Sequence, residues 1–344
     1  MKKITEMPKD WRPGLDVCNA AGDFDPATLG WDYALRTTSF LRTSLVEQKF
    51  YTVAPADFMT VEVGEGAWLE EIVQNRQVIA AGDFETGLIN VAAQQAESPE
   101  IQLGISPKKY PIATWAFGYQ YSLPELKKAV ATNNWDIPNS CTKALKTIWD
   151  LGIQKMTFLG SRAQSSANPF YGLLTLPDPT VDTTTLTTAI KDMDVNEFMA
   201  FAEAILGVFF KNTNYTVLPD RMVIPTDDYL GLGGAVSPTF PIADGSKIIY
   251  LERTLKQLSG NADFKIIPLA YAMAANNAGY VSTNGTNRTV LYKNDPDVVR
   301  IGIPANFATT NPSTNDNFYF KGKGFGQFTG VQNYREREIM YFDR

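Results

Sequence analysis

The residue that most often acts as a general acid or base in enzymes is absent from this sequence, which has no histidine among its 344 residues. This excludes Ser–His and Cys–His nucleophile pairs, imidazole metal ligands and the commonest general acid and base. Enzymes can use carboxylates instead, and the adjacent residues Asp227 and Asp228 are such candidates. An enzyme is therefore only a secondary hypothesis.

Three short motifs imitate ligand sites without meeting their requirements. Residues 160–166 resemble a phosphate loop, but they follow a predicted helix and lack the Gly-Lys-[Ser/Thr] ending. Residues 322–326 imitate a dinucleotide fingerprint, but they separate two strand-like runs and are predicted to form a turn. The acidic residues within 293–297 do not have EF-hand spacing and suit a turn. The sequence therefore predicts no catalytic residue, no cofactor and no metal ion.

The overall composition is that of a globular protein with a substantial core. Hydrophobic residues make up 44% of the chain, which is enough for two or three subdomains. The net charge is −6 and the basic residues are scattered, which argues against general electrostatic capture of nucleic acid. The two cysteines, Cys18 and Cys141, are too few for a disulfide framework and suit a reducing cytoplasm. The sequence shows no secretory signal and no apolar run long enough to span a membrane.

The most regular element is a long helix predicted at about residues 139–159. Asn139 or Ser140 is the expected N-cap, and Gly160 is expected to end the helix in a left-handed conformation. Its apolar positions, which recur at three- and four-residue steps, are Cys141, Leu145, Ile148, Trp149, Ile153, Met156 and Leu159. The residues predicted on the opposite side, facing water or a neighbour, are Lys143, Thr147, Asp150 and Gln154.

Strand patterns precede this helix. Apolar and polar residues alternate in segments 51–54, 60–64, 101–105 and 110–115. Between them stand apolar residues that no local helix can bury, namely Trp68, Ile72, Val78 and Ile79. The segment forms either an ordinary antiparallel sheet on its own domain or a projecting hairpin. A projecting hairpin needs a neighbour to cover it, because a lone hairpin buries too little in water.

The second half of the chain divides into a mixed part and a β-rich part. Helix and strand patterns alternate over about 194–270, which predicts a compact α/β subdomain. The last third is predicted to be β-rich, with strands at 317–321 and 327–331. The alternating charges Arg335, Glu336, Arg337 and Glu338 are either a solvated surface or a seam that fixes the register between subunits.

The order of elements in the centre of the chain resembles that of a known family. A strand at 115–121, a short helix, a long helix ending Phe158-Leu-Gly160, a polar loop and the turn Gly172-Leu-Leu-Thr-Leu-Pro177 resemble the central region of tailed-phage major capsid proteins. Those proteins have the Hong-Kong-97-like, or Johnson, fold, and their turn reads "Gly-Leu-Leu-Asn-x-Pro". Thr175 stands here where asparagine is commoner. The C-terminal Tyr341-Phe-Asp343 is similar to the "Tyr-x-Asp" ending of a divergent bacterial and phage group.

This resemblance implies an α+β fold with an N-terminal arm, an extended E-loop hairpin, a P-domain with a long spine helix and an α/β A-domain. The implied ranges are 1–49 for the arm, 50–121 for the E-loop hairpin and its base strands, 122–180 for the P-domain, 181–284 for the A-domain and 285–344 for C-terminal strands shared between A-domain and P-domain. The E-loop of such proteins lies across the adjacent subunit.

The function implied by the resemblance is that of a non-enzymatic major capsid protein. Its copies would assemble as hexamers and pentamers into an icosahedral shell around a phage double-stranded DNA genome, without sequence-specific DNA binding. The implied partners are other copies, a portal, and a separate scaffold or decoration proteins, without a membrane. The implied location is the virion capsid, assembled in the host bacterial cytoplasm.

Two sets of interface residues follow as expectations. The E-loop set is Trp68, Ile72, Val78 and Ile79, and the set from the spine helix and the C-terminal charges is Lys143, Asp150, Arg335, Glu336, Arg337 and Glu338. Two other functions stay open at this point. One is an encapsulin-like shell of the same fold that packages an enzyme, and the other is a histidine-free α/β enzyme.

Overall fold

The computed structural model of the protein describes residues 49–80, 102–131, 136–162, 170–193, 195–233, 246–314 and 318–344. The predicted arm, apart from Lys49, lies outside the described residues, as do residues 81–101 between the two strands of the hairpin.

Helices and strands are mixed along the chain. The α-helices are α1 (Leu123–Ala131), α2 (Ile137–Phe158), α3 (Val195–Asn212), α4 (Thr226–Gly231), α5 (Lys247–Ser259) and α6 (Ala274–Asn277). Short 3-10 helices lie at Pro55–Asp57, Ile190–Asp192, Ala270–Ala272 and Glu336–Glu338. The strands are β1 (Thr60–Val63), β2 (Glu71–Ala80), β3 (Gln102–Ser122), β4 (Thr180–Asp182), β5 (Arg221–Pro225), β6 (Lys265–Leu269), β7 (Arg288–Tyr292), β8 (Arg300–Ile303), β9 (Ala305–Thr309), β10 (Ser313–Thr314), β11 (Tyr319–Thr329), β12 (Val331–Gln332) and β13 (Ile339–Asp343).

Strand β3 is the longest element of the main antiparallel sheet. The sheet has the order β10-β11-β3-β2, and β9 also pairs with β11. One half of β3 pairs with β2 to form the hairpin, and the other half pairs with β11. The strands predicted at 101–105 and 110–115 are therefore parts of one strand.

The prediction of a turn at residues 322–326 is wrong, because these residues lie inside β11. Gly322, Gly324 and Gly326 are alternate residues and so share one face of the strand. A Cβ atom on Gly326 would lie 2.6 Å from Trp149 Cη2, and one on Gly324 would lie 2.8 Å from Phe307 Cε2. The glycines are there because aromatic rings occupy the space of their side chains.

Helix α2 starts earlier than predicted. Its N-cap is Asp136, whose Oδ1 accepts a hydrogen bond of 3.3 Å from the Asn139 main-chain N, so neither Asn139 nor Ser140 is the cap. At the other end Gly160 has φ of +72°. Only glycine fits this position, because a Cβ atom on it would lie 2.7 Å from the Gly172 N.

Two residues of α2 lie on the side of the helix opposite to the side that was predicted for them. Ile148 is 44% exposed, whereas Gln154 is buried. The Gln154 side chain accepts a bond of 2.9 Å from the Val53 N and donates one of 3.2 Å to the Tyr51 O. The amide therefore supplies hydrogen-bond partners to the main chain of residues 51–54. This segment is irregular and does not form the predicted strand.

A five-stranded sheet of order β4-β13-β7-β5-β6 separates two hydrophobic cores. Alternate residues of β13 point to opposite sides, with Ile339 and Tyr341 in one core and Met340 and Phe342 in the other. The first core includes Phe158 and Leu159 at the end of α2 and the turn that follows, and the second is closed by helices α3 to α5. Because both faces of the central strands β13, β7 and β5 are covered, these three strands are mostly apolar.

Strand β4 lies at the edge of this sheet and runs parallel to β13. A small third sheet of order β1-β8-β12 lies beside the hairpin.

Candidate assembly surfaces

The hairpin of β2 and β3 is largely exposed along the part whose side chains the structure describes. Its ladder runs from the pair Glu71 and Pro111 to the pair Ala80 and Gln102. At about 3.3 Å per residue, the ladder is about 30 Å long. Val73 and Ile105 are 47% and 71% exposed. Such apolar side chains are the kind that a second subunit would cover.

The four predicted hairpin residues differ in position. Trp68 precedes β2 and is 65% exposed, whereas Ile72 at the root is half-buried. Val78 and Ile79 lie in the outer part of β2, and their side chains lie outside the described residues. Trp68 is the only member of the set whose exposed side chain the structure describes.

The root of the hairpin is attached to the body by Lys108. Its Nζ donates hydrogen bonds of 2.7 Å to Asp178 Oδ2 and 3.0 Å to Glu336 Oε1. Burial opposes the charged form of Lys108, but these two partners outweigh it and raise its pKa above the ordinary 10.5. Arg76 of β2 adds a 3.9 Å ion pair to the same Glu336.

Tyr110 makes a second attachment next to Lys108. Its hydroxyl donates a 2.5 Å bond to the Asn333 O and accepts one of 2.9 Å from the Asn333 N. Its ring packs edge-on against Tyr334 at 5.3 Å between centroids. Burial raises the pKa of Tyr110 to about 12, so the hydroxyl stays a donor at any physiological pH.

Arg300 of β8 joins four elements at the same root. Its guanidinium donates bonds to Glu62 Oε1 at 3.0 Å, to Gln332 Oε1 at 2.9 Å and to Gln74 Oε1. It also lies over the ring of Tyr334, 4.8 Å from its centroid. Neither Arg300 nor Lys108 nor Tyr110 was identified from the sequence. The one available signal was the polar pair Lys108-Lys109 inside an apolar strand pattern.

The C-terminal charges predicted as an intersubunit seam are largely paired within the chain. Arg335 makes ion pairs with Asp297 at 3.3 Å and with Glu338 at 3.6 Å. Glu336 binds Lys108, as described above. Arg337 is exposed and has no ion pair in the described part of the chain. Its role, and that of the other three residues, in contacts between copies stays a prediction.

The polar residues predicted on α2 are accessible. Lys143 and Asp150 are both exposed on the helix. Partial burial raises the pKa of Asp150 against the opposing effect of Lys146. Among the described residues, neither of them forms a hydrogen bond or ion pair with the C-terminal charges, and their role in contacts between copies stays a prediction.

The candidate catalytic carboxylates do not form an accessible pair. Asp228 is buried at the start of α4, where Arg344 Nη2 lies 3.5 Å from its Oδ2, whereas Asp227 is exposed. Burial raises the pKa of Asp228. In the described ranges, no three acidic or cysteine residues cluster in a way that could bind a metal ion. No helix within them is both long and apolar enough to cross a membrane.

Comparison with solved structures identifies the fold. The capsid of Myoviridae phage XM1 matches with a TM-score of 0.71 and 14% identity, over 90% of this chain and 97% of that chain. The capsid of a native GTA particle matches with a TM-score of 0.56 and 10% identity, over 96% and 98%. The Mycobacterium phage Ogopogo structure matches with a TM-score of 0.55 and 13% identity, over 90% and 98%. The protein therefore has the Hong-Kong-97-like capsid fold.

The family is shown by the sequence itself. Residues 89–344 match the family model described as "Major capsid protein", and the chain belongs to that family. Comparison with curated proteins gives no match. The predictions of a phage capsid fold, of a major capsid protein and of a non-enzymatic role are confirmed by these matches. The protein is thus a structural component of a virion capsid.

Proposed function

We propose that copies of this chain assemble as hexamers and pentamers into an icosahedral shell around a double-stranded DNA phage genome. The observation that carries the proposal is the β2–β3 hairpin. It extends about 30 Å as a two-stranded ladder with exposed apolar side chains. Two strands alone bury too little for stability in water, so a neighbouring copy that covers them stabilises the subunit and the shell together.

The division into subdomains follows from the same proposal. Residues 1–49 act as the arm, 50–121 as the E-loop and its base, 122–180 as the P-domain, 181–284 as the A-domain and 285–344 as the shared C-terminal strands. The two predicted sets of interface residues belong to contacts between copies. A portal and a separate scaffold or decoration proteins complete the particle, which assembles in the host cytoplasm and encloses DNA without reading its sequence.

The test is negative-stain electron microscopy with light scattering on the chain expressed alone. Closed shells, or rings of five and six subunits, are the expected result. A matched variant replaces residues 78–104 with Asn-Gly, which joins the paired residues Gln77 and Ile105 by a two-residue turn. This variant should keep the melting temperature of the body and form no shells.

Other outcomes contradict the proposal in distinguishable ways. A stable dimer whose melting temperature responds to a small molecule would favour an α/β enzyme. Shells loaded with a protein instead of DNA in the native host would favour a compartment. Normal shells from the shortened variant would show that the hairpin does not hold subunits together.

A further inference from the structure

Two long stretches of this chain contain no acidic residue, although the chain has 37 aspartates and glutamates among its 344 residues. One is 151–177, which includes the end of α2 and the turn after it, and the other is 264–294, which runs from β6 through β7. Both stretches carry basic residues. Since the whole chain has a net charge of −6, a surface where these stretches meet has the opposite sign of charge to the protein as a whole.

The two stretches meet at the ring of Tyr280. Lys155 Nζ, in the last turn of α2, lies 5.4 Å from the centroid of this ring, and the guanidinium carbon of Arg162 lies 5.7 Å from it. Both distances are within the range of a cation–π contact. The two positive charges are therefore at most about 11 Å apart. We call Lys155 and Arg162 the cation pair.

The main chain around the cation pair is well defined. Gly160 ends α2 in the left-handed conformation, two residues before Arg162. A Cβ atom on Gly279, which has φ of +77°, would lie 3.5 Å from Arg162 Nε, so the guanidinium packs against this glycine. Tyr280 is half-buried and packs against the first core, whereas Lys155 and Arg162 are exposed. The ring is thus a fixed platform that presents two charges to the solvent.

The cation pair has no carboxylate partner in the described part of the chain, and residues 163–169 after Arg162 contain no acidic residue. Like charges that are held close together repel each other, and a bound anion removes that repulsion. A lysine in the last turn of a helix is ordinary, because the negative end of the helix dipole favours it. The dipole does not account for Arg162, which lies beyond the helix and on the same ring.

The phosphate groups of a nucleic-acid backbone suit the cation pair. A guanidinium binds phosphate oxygens through paired N–H donors, and an ammonium group binds them as a point charge. The positive charge also continues along α2, because residues 137–162 contain four basic residues and one acidic residue. Helix α2 has 22 residues and is about 33 Å long, so this charge suits a polymer better than a single small anion.

An acidic protein segment is the competing occupant. It would also cover Ile148, which is 44% exposed and lies two turns before Lys155 on the same side of α2. A DNA backbone has no need of that apolar side chain. The sequence on both sides of the contact favours the polymer, because it supplies cations and uncharged polar residues over long stretches and only this one large exposed apolar residue on α2.

We propose that Lys155 and Arg162, held on the ring of Tyr280, bind phosphate groups of the enclosed DNA without reading its sequence. This inference rests on the proposed shell function and deepens it, because it assigns the surface around Tyr280 to the inside of the shell. The contacts are electrostatic, so they weaken as the salt concentration rises.

The test is the fluorescence anisotropy of a short labelled DNA duplex mixed with the full-length chain below the concentration at which it assembles. Duplexes of different sequence should bind equally. The variant Lys155→Glu with Arg162→Glu should bind at least about tenfold more weakly at low salt. Its plot of log binding constant against log salt concentration should be shallower by about 2, because each phosphate contact contributes about 0.9 to the slope. The control, Lys211→Glu with Lys323→Glu, changes the net charge equally on exposed residues elsewhere and should keep the slope.

Two further variants separate the roles of the ring and of the apolar side chain. Tyr280→Phe keeps the ring and should bind as the wild type does, whereas Tyr280→Leu should bind about 2- to 5-fold more weakly for each cation that loses its platform. The salt slope of Tyr280→Leu should not change, because both charges remain. Ile148→Ser should bind the duplex normally. Melting curves check that every variant is folded.

Closed shells made from the same chain should bind far less added duplex per subunit than the unassembled chain, because the cation pair then faces inwards. Equal binding by shells, an equal loss in the control, or a loss in Ile148→Ser as large as that in the charge variant would overturn the proposal. Release of the duplex by inorganic phosphate at matched ionic strength would also overturn it, since the site would then bind a small anion. Shells that form normally from a chain that never binds DNA would overturn this inference alone, whereas a chain that forms no shells would contradict the proposed function.

Discussion

The attachment of the hairpin to the body can be weakened at a single residue, Lys108. Replacing it by methionine keeps most of the aliphatic stem and removes the bonds of 2.7 Å to Asp178 and 3.0 Å to Glu336. The side chains of the three residues are 27%, 35% and 38% exposed, so solvent screens both ion pairs substantially. Partly exposed pairs contribute about 0.2–1 kcal/mol each, which gives about 0.4–2 kcal/mol for the two contacts together.

The loss should be local, because β2 and β3 stay paired and neither core is touched. Hydrogen exchange measured by mass spectrometry should show protection of the hairpin root falling about 2- to 30-fold, as about 0.4–2 kcal/mol implies. The global melting temperature should change little. The matched control is Lys109→Met, because Lys109 pairs with Glu71 inside the hairpin and makes no bridge to the body.

The pH dependence follows from the raised pKa of Lys108. A lysine whose pKa is higher in the folded state stabilises the fold fully below about 10.5. That contribution is lost as the pH rises through the raised folded value, so the difference between wild type and variant should persist at neutral pH and vanish only in strong alkali. Equal exchange in wild type and Lys108→Met, or an equal loss in Lys109→Met, would refute the reasoning.

Two further predictions concern the body. Gly326→Ala should lower the free energy of unfolding, measured in urea, by about 1–3 kcal/mol, because the new Cβ atom would overlap Trp149. The control is Gly118→Ala, whose Cβ atom would have its nearest contact at 3.6 Å. Equal urea midpoints for the two variants would contradict the packing argument. Burial raises the pKa of Asp182, but hydrogen bonds from Thr185 and Thr184 outweigh it and lower the value below 3.8. Asp182→Asn should therefore lower the melting temperature above about pH 4, and the deficit should disappear as the pH falls through the lowered pKa; a deficit that does not change with pH would disprove this role.

The sequence predicted the elements whose pattern is set by burial on one side. The long helix could be located from the period of its apolar residues, and Gly160 could be recognised as the end of the helix. The errors in the predicted elements arose where one residue type is common in two different kinds of structure. Glycines at alternate positions of β11 resemble the glycines of a turn when only the sequence is known. The structure shows that they are needed because the rings of Trp149 and Phe307, two residues distant in sequence from most of β11, occupy the space of their side chains.

The candidate surfaces were harder to predict because they depend on long-range polar contacts. Gln154 has the character of a surface residue, yet it is buried because residues 51–54 need a partner for their main chain. Lys108 meets Glu336 across 228 residues of sequence, and no local pattern specifies that pair. The exposed aromatic Trp68 was found because its type and context are unusual, whereas its left-handed backbone follows only from the structure.

The way the hairpin is anchored matters for a shell protein. Its ladder has ten residue pairs, so the two strands are held firmly to each other. The contacts described at its root are ion pairs and hydrogen bonds of Lys108, Tyr110 and Arg300, most of them partly exposed. Partly exposed polar contacts of this kind can be exchanged for contacts with water at small cost, whereas a packed apolar core cannot. We therefore expect the hairpin to change its direction without losing its pairing, which the proposed assembly in hexamers and pentamers would require of its subunits.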